Sequence, residues 1–502
     1  MAPMKASFRA TALVLAGVFF AIFSVEFLAE WWRLGMPSAG EMSWADVNNA
    51  KLVDVLSPMA RGYNNILAML IATIGLAIPL TANMHTPKLI DMFFRDRVNQ
   101  LVLVFMAFGA ANVLWVDYII GPKFAPVWAF RVAVWGALAG WAILVPYFFY
   151  VVRFLDPSNI LGRLHDETTG IVDDVASGKL GTEEGQAAAH ERLYQMGTII
   201  LKALDRADRS VALEGLWAVK RTLDHHGTHK PTMPAAWFKV DRGDFVGLSS
   251  DAIDLLNEDK SWFEMKAMTQ MFLAYQHALS KTADVVSSVS DANRVIAVAA
   301  AARGDDKVVE LSLRYFNNFL REAIKRKDVH AVYDVFYQYR LLAHDLRARP
   351  DTLRSIARGF HYYGDVARSA GLDFVEDMAA FDLGFVVRRA YDEKSPMARA
   401  VLDEELAISH VRKGVVAPLI VKAKLILGAY FLQTGRAAEA ALVRADLAGV
   451  APDALASAER GLLAAERSFF EVTARQVNFE YVAPERREHL QAFVRSLAPA
   501  AA

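Results

Sequence analysis

Few side chains in this sequence sit at spacings that could do chemistry. One group is Asp224, His225, His226 and His229, within "DHHGTH". Imidazoles and a carboxylate can ligate zinc, but zinc prefers donors fixed on ordered elements. The surrounding stretch, "HHGTHKPTMPAAWFKVDRGDFVGLSSD", is rich in Pro, Gly and aromatic residues. It reads as a long connection over 225–260, carrying at most a short strand or a partner contact. An exposed polar turn is expected there, with no metal and no cofactor.

A second group lies in apolar surroundings: Glu26, Glu30, Asp117 and Arg131. A charge at membrane depth needs a partner or water. An Arg131–Asp117 or Arg131–Glu26 pair would fasten helices together, and a long side chain could snorkel to headgroups. A ring of such charges in an oligomer would instead line a pore mouth. A third group is "TPKLIDMFFRDRVNQL" over 86–101. Thr86 suits an N-cap and Pro87 the first helical position. Asp91 and Arg95 are four apart, the spacing of a helical pair. Phe93 and Phe94 can dip into the membrane interface. The stretch reads as a short cytoplasmic helix that runs into the apolar segment after it.

Other chemistries lack their residues. There is no GxxxxGK[ST] loop, HExxH, GxSxG or glycine-rich dinucleotide turn. With no cysteine, thiolate nucleophiles, iron–sulfur clusters and disulfides are excluded. A net charge of −1 argues against a nucleic-acid partner. No enzyme is expected.

The elements that hold these groups differ sharply along the chain. Residues 1–155 hold 19 Asp, Glu, Lys and Arg, and residues 156–502 hold 92, so lipid solvates the first part and water the second. Spans are predicted at about 10–31, 63–84, 98–119 and 126–152, each near the ~20 residues that cross a bilayer. Trp31, Trp32, Tyr63, Trp115, Tyr118, Trp128 and Tyr150 flank them, as interfacial rings do. Lys5, Arg9, Lys88, Arg95, Arg97, Arg153 and Arg163 fall on one side, which places both termini in the cytoplasm. Span one could also be a signal peptide, though no clean A-x-A cleavage site follows its apolar core before Glu26. An amphipathic surface helix is expected in the 33–62 loop, and Gly136 and Gly140 form a GxxxG in span four.

The hairpin residues Pro87, Lys88, Phe94, Arg95, Asp96, Arg97 and Gln100 carry a resemblance. Over about residues 55–160 the chain resembles the bacterial predicted membrane protein family called domain-of-unknown-function 2254. Lys88 stands where that family has Arg, which weakens any bidentate anion contact. Further on, "FDLGFVVRRAYDEKSP" (381–396) is similar to a later family segment without its Asn-Asp-Pro. The family has no assigned activity, so the resemblance implies architecture alone.

From about residue 185 the apolar period is helical. Leu193, Met196, Ile199, Ile200 and Leu204 share a face. Polar turns recur as "RGDD", "KRKD", "ARPD", "AGLD" and "EKSP", about 22–23 residues apart, as in antiparallel hairpins stacked into a solenoid. "LGAYFLQTGRAAEAALVRADLAGVAP" resembles a tetratricopeptide repeat, with Leu427, Gly428, Phe431, Gly435, Ala440 and a closing Pro452.

The expected fold is therefore all-α. A four-helix transmembrane domain (1–155) precedes a helical linker region (156–260) and a HEAT-like helical-repeat domain (261–502). The expected function is a scaffold or interaction platform in a bacterial inner membrane. Its partners would be the lipid bilayer and a protein, or further copies of itself. The alternative is a homo-oligomeric channel or transporter with the repeats as its vestibule.

Overall fold

A computed structural model of the 502-residue chain describes residues 49–84, 89–120, 127–245, 247–412, 414–469, 475–476 and 478–497. Nineteen α-helices account for most of these residues, and the one sheet is a two-stranded hairpin, so the fold is all-α. The chain forms two compact units, Met1–Asp166 and Glu167–Ala502.

In the first unit, helices α1 (Asn49–Met84), α3 (Arg97–Ile119) and α4 (Val127–Leu155) pack mutually, with the short α2 (Leu89–Arg95) beside them. Stretches of the three long helices are long and apolar enough to cross a membrane: Leu52–Met84, Arg97–Tyr118 and Ala129–Leu155. They match the second, third and fourth predicted spans. The first predicted span, with Glu26 and Glu30, lies outside the described residues. Large apolar side chains such as Met69, Leu76, Leu101, Phe108 and Phe149 face outward, the pattern that lipid rather than water solvates.

A separate surface helix in the 33–62 loop does not form within the described part. Residues 49–61 are instead the first turns of α1, whose 36 residues extend about 54 Å. Leu52, Leu56, Ala60 and Tyr63 continue one buried stripe, which keeps the helix unbroken past Pro58. Tyr63 fills the middle of the bundle. A Cβ at Gly109 or Gly140 would come within 3.0 Å of its hydroxyl. Gly136, the other glycine of the expected GxxxG, faces open space.

The second unit begins within α5 (Pro157–Ala176). Two ladders of helices follow. One runs through α6 (Thr182–Asp205), α9 (Trp262–Ala278), α11 (Asp306–Lys325), α13 (Pro350–Ser369) and α15 (Ala398–Ala407). The other runs through α7 (Arg209–His229), α10 (Ala283–Ala302), α12 (Val329–Asp345), α14 (Asp373–Asp392) and α16 (Pro418–Gln433). Each helix packs on its ladder neighbours and, from α9 to α15, on its sequence neighbours, which gives a solenoid-like two-layer array. The short α8 (Ser250–Glu258) lies between α7 and α9 in sequence. A hairpin of β1 (Val411–Arg412) and β2 (Val415–Val416) precedes α16. Helices α17 (Ala437–Asp446), α18 (Pro452–Ala464) and α19 (Pro484–Arg495) close over α16. Helix α10 also has the length and hydropathy of a span, but it packs against α7, α9, α11 and α12.

The turns share one geometry. A left-handed residue stands at Ala207, Gly304, Lys327, Gly371, Lys394 and Gly435, with φ between 52° and 83°. The next residue's N–H donates to a carbonyl five residues back, at Ala203, Ala300, Ala323, Ala367, Ala390 and Phe431, over 2.8–3.0 Å. This is the Schellman closure of a helix end. In three of the six, that next residue is an Asp whose carboxylate caps the following helix: Asp208, Asp305 and Asp328. One residue thus ends one helix and starts the next.

Two expectations are corrected. Pro452 does not end a helix; it opens α18, because the left-handed Gly449 has already turned the chain. Residues 225–229 are not a turn. Helix α7 runs through them because Val219, Leu223 and His226 extend its buried face, and Arg303 packs against the space beside Gly227. The connection after it holds two 3-10 turns, Lys230–Thr232 and Ala235–Phe238, and no strand among its described residues. Its Trp237 and Phe238 are buried, with Trp237 packed against Trp262 and Phe263.

Candidate functional site: an arginine-lined cavity

Helices α12, α14 and α16 are successive members of one ladder, and each turns one face to a shared cavity of about 400 Å³. Tyr337, Arg340 and His344 come from α12; Phe381, Phe385, Arg388 and Arg389 from α14; Ile426 and Leu427 from α16. The spacings of three and four residues put each set on one helical face. Arg475, Asn478, Phe479 and Tyr481 line it from the segment before α19. Gly384 lines the cavity too, and a Cβ there would meet nothing within 4 Å.

Four guanidinium groups line this space, and of the two nearby carboxylates among the described residues one is committed to two of them. Asp382, fully buried in α14, binds Arg475 through both oxygens at 2.5 and 2.7 Å and reaches Arg340 at 3.3 Å. Asp392 lies 3.9 Å from Arg389 and accepts the Tyr430 hydroxyl. Among the described residues no carboxylate lies within 4.0 Å of Arg388; its Nε reaches the Gly384 carbonyl at 3.3 Å. Burial first, then Arg486 and Arg340, pull the Arg388 pKa down to about 10. The ring of Phe385 sits among Arg340, Arg388 and Arg389, 4.1–6.0 Å from its centroid. Arg475 stacks on Tyr333, Tyr337 and Phe479, and its buried Nε has no hydrogen-bond partner among the described residues. Among the described residues the cavity has surplus guanidinium charge, open donors and aromatic walls, a lining that suits an anionic group.

The sequence candidates fall elsewhere. Asp96 caps α3, accepting from the Val98 and Asn99 backbone N–H groups at 2.9 and 3.2 Å and from the Tyr150 hydroxyl at 2.7 Å. It breaks the chain between α2 and α3, so the hairpin helix stops there instead of running into the span. Phe93 turns inward, edge-on to Phe154, while Phe94 is exposed. Arg95, Arg97 and Gln100 are exposed; Gln100 donates to the Phe94 carbonyl. Pro87 and Lys88, like Glu26, lie outside the described residues. Arg163 closes the end of α4, donating to the Phe154 carbonyl and stacking on its ring. Asp117 accepts from Ser57 at 2.7 Å, and Arg131 is half-buried near the start of α4.

Apolar spans joined by this capped hairpin are what the resemblance implied. Residues 5–206 match the predicted membrane protein family DUF2254. No curated protein and no solved structure matches the chain. The DUF2254 match extends well beyond 55–160 on both sides, and 381–396 lies outside it. It takes in the bundle, α5 and α6, and stops before the arginine cavity.

The histidines divide. His226 is fully buried. Its Nε2 accepts from Trp237 Nε1 at 3.1 Å, so Nδ1 carries the proton and donates to Glu264 at 3.1 Å. Burial pushes the Glu264 carboxyl up, but His226 and Lys230 outweigh that and hold it at about 2. His225 and His229 point the other way, toward Asp173 on α5.

The cavity residues were missed by sequence reasoning. A signal existed: Asp382 interrupts the apolar run "MAAFDLGFVV" at a position that must be buried, and a buried acid requires a cationic partner. Its partner, 93 residues away, has no local signature.

Proposed function

We propose that this protein is a non-catalytic recognition platform in a bacterial inner membrane. In this reading both termini are cytoplasmic and the helical array presents its arginine cavity to a carboxylate- or phosphate-bearing group of a partner protein. One observation carries the reading: Arg388 lines the cavity with no carboxylate near it among the described residues, beside three further guanidinium groups. A half-buried cation without a counter-ion costs stability unless a ligand supplies the charge. Solenoid arrays also present extended surfaces suited to protein ligands.

The test uses the full chain in mild detergent, with pyrophosphate and a short glutamate-rich peptide as probes. Binding is read by calorimetry and by thermal shift. Gly384→Leu fills the cavity without changing its charge, and Arg388→Gln removes the unmatched cation. Each is expected to weaken binding at least about tenfold. Unchanged affinity in both variants overturns the reading. Reporter fusions at either terminus that prove external overturn the orientation. Planar-bilayer currents altered by Arg131→Gln would favour a pore formed between copies.

A further inference from the structure

We propose that Asp173, His225 and His229 form a zinc site that ties α5 to α7. The two histidines are four residues apart, so one face of α7 presents both rings, stacked with centroids 4.4 Å apart. Asp173 comes across from α5. Its Oδ1 lies 2.6 Å from His225 Nε2 and 3.4 Å from His229 Nε2, and the three ligand atoms lie within 4.8 Å of one another.

The hydrogen bonds around His229 fix which nitrogen is available. The Thr228 hydroxyl donates to the His225 carbonyl at 2.7 Å, so its single hydrogen is committed. The atoms nearest His229 Nδ1 are that carbonyl, at 3.0 Å, and the Thr228 oxygen, at 3.1 Å. Both act as acceptors there, so Nδ1 must be the donor. In the neutral ring the lone pair is therefore on Nε2, the atom aimed at Asp173. A backbone carbonyl orienting a metal-binding imidazole in this way is the usual outer support of a zinc ligand.

A bare Nε2 lone pair facing a carboxylate oxygen is repulsive unless a metal cation or a proton lies between. Ligand bonds of about 2.0–2.1 Å in a tetrahedron put neighbouring donors roughly 3.4 Å apart, the His229–Asp173 separation. The His225 contact has to open by under about 1 Å, which the exposed Asp173 side chain can do by rotating. Two imidazoles and one carboxylate suit Zn²⁺. Partial exposure of all three residues gives an entry path and leaves the fourth position to water. Without metal, a proton on His225 holds the same carboxylate.

The experiment uses the full chain without a histidine tag, in detergent, after chelator treatment and dialysis. Calorimetry with Zn²⁺ at pH 7.5 is expected to give one saturable site per chain, weaker at pH 6 where protons compete. Co²⁺ in its place should give the intense visible absorption of a four-coordinate ion. Asp173→Asn and His229→Gln should each lower Zn²⁺ affinity at least tenfold with an unchanged circular dichroism spectrum. Asp224→Asn, next to His225 in sequence but paired with Lys220, should not lower it. Absence of saturable binding, equal affinity in both ligand variants, or an equal loss in Asp224→Asn overturns the site.

Discussion

Asp382 and Arg475 are 93 residues apart in sequence and joined by two hydrogen bonds of 2.5 and 2.7 Å, with both side chains almost wholly buried. This pair holds the segment before α19 against α12 and α14, and it also sets the charge of the cavity. Asp382→Asn leaves the buried Arg475 without this counter-ion. The expected loss is about 3–5 kcal/mol, the range for breaking one side of a buried pair. Denaturant unfolding measures it, and protease nicking around 465–480 should rise. The double variant with Arg475→Gln should lose less than the sum of the singles.

Gly140→Ala tests the membrane bundle. The new methyl would sit within 3.0 Å of the Tyr63 ring, itself enclosed beside Gly109. Overpacking of this kind costs about 1–3 kcal/mol. Thermal unfolding in detergent should show that loss, with partial recovery in Gly140→Ala/Tyr63→Phe. Gly136→Ala has nothing within 4 Å and should be near neutral.

The shared turn geometry predicts opposite signs for two substitutions. Lys327 holds φ at +55°, where glycine carries no steric penalty, so Lys327→Gly should stabilise by up to about 1 kcal/mol. Gly304 holds +76°, so Gly304→Ala should cost a similar amount. If both variants shift in the same direction, the turns do not share the closure described here.

His190 predicts a pH dependence. Burial, then Lys266, hold its pKa down at about 4, against an ordinary 6.5. The folded protein keeps this ring neutral beside Trp262 and Phe245, while the unfolded chain takes up a proton below 6.5. The stabilising contribution is complete above pH 6.5 and is lost as pH falls toward 4. It adds at most one proton to the slope, about 1.4 kcal/mol per pH unit. His190→Phe should flatten the melting temperature between those limits. Glu264, held at about 2, acts in a lower window: its contribution is full above 4.5 and falls away toward pH 2.

Much of this architecture was legible in one dimension, and the reason is period. Lipid-facing helices such as Leu52–Met84 are apolar on nearly all sides, so their length alone marks them. The array helices repeat an apolar stripe, and their turns repeat an αL residue followed by a cap. Each is a local constraint, set within a few residues by backbone sterics and solvent. Local reasoning failed where a neighbour from elsewhere decided the outcome. Glycine and polar residues at 225–229 suggested a turn, but Arg303 against Gly227 and Trp237 on His226 keep α7 helical.

By itself the sequence determined the all-α class, the apolar spans and the spacing of the stacked helices. These follow from hydropathy and helical pitch, which act along the chain. Only the tertiary structure decided which charges meet. It split three neighbouring histidines between a buried network and a site facing Asp173. It also brought Arg340, Arg388, Arg389 and Arg475 around one cavity, with fewer acids than guanidinium groups among the described residues. Coulomb interactions and desolvation depend on distance in space, and stacking folds distant segments together at separations that no sequence pattern records.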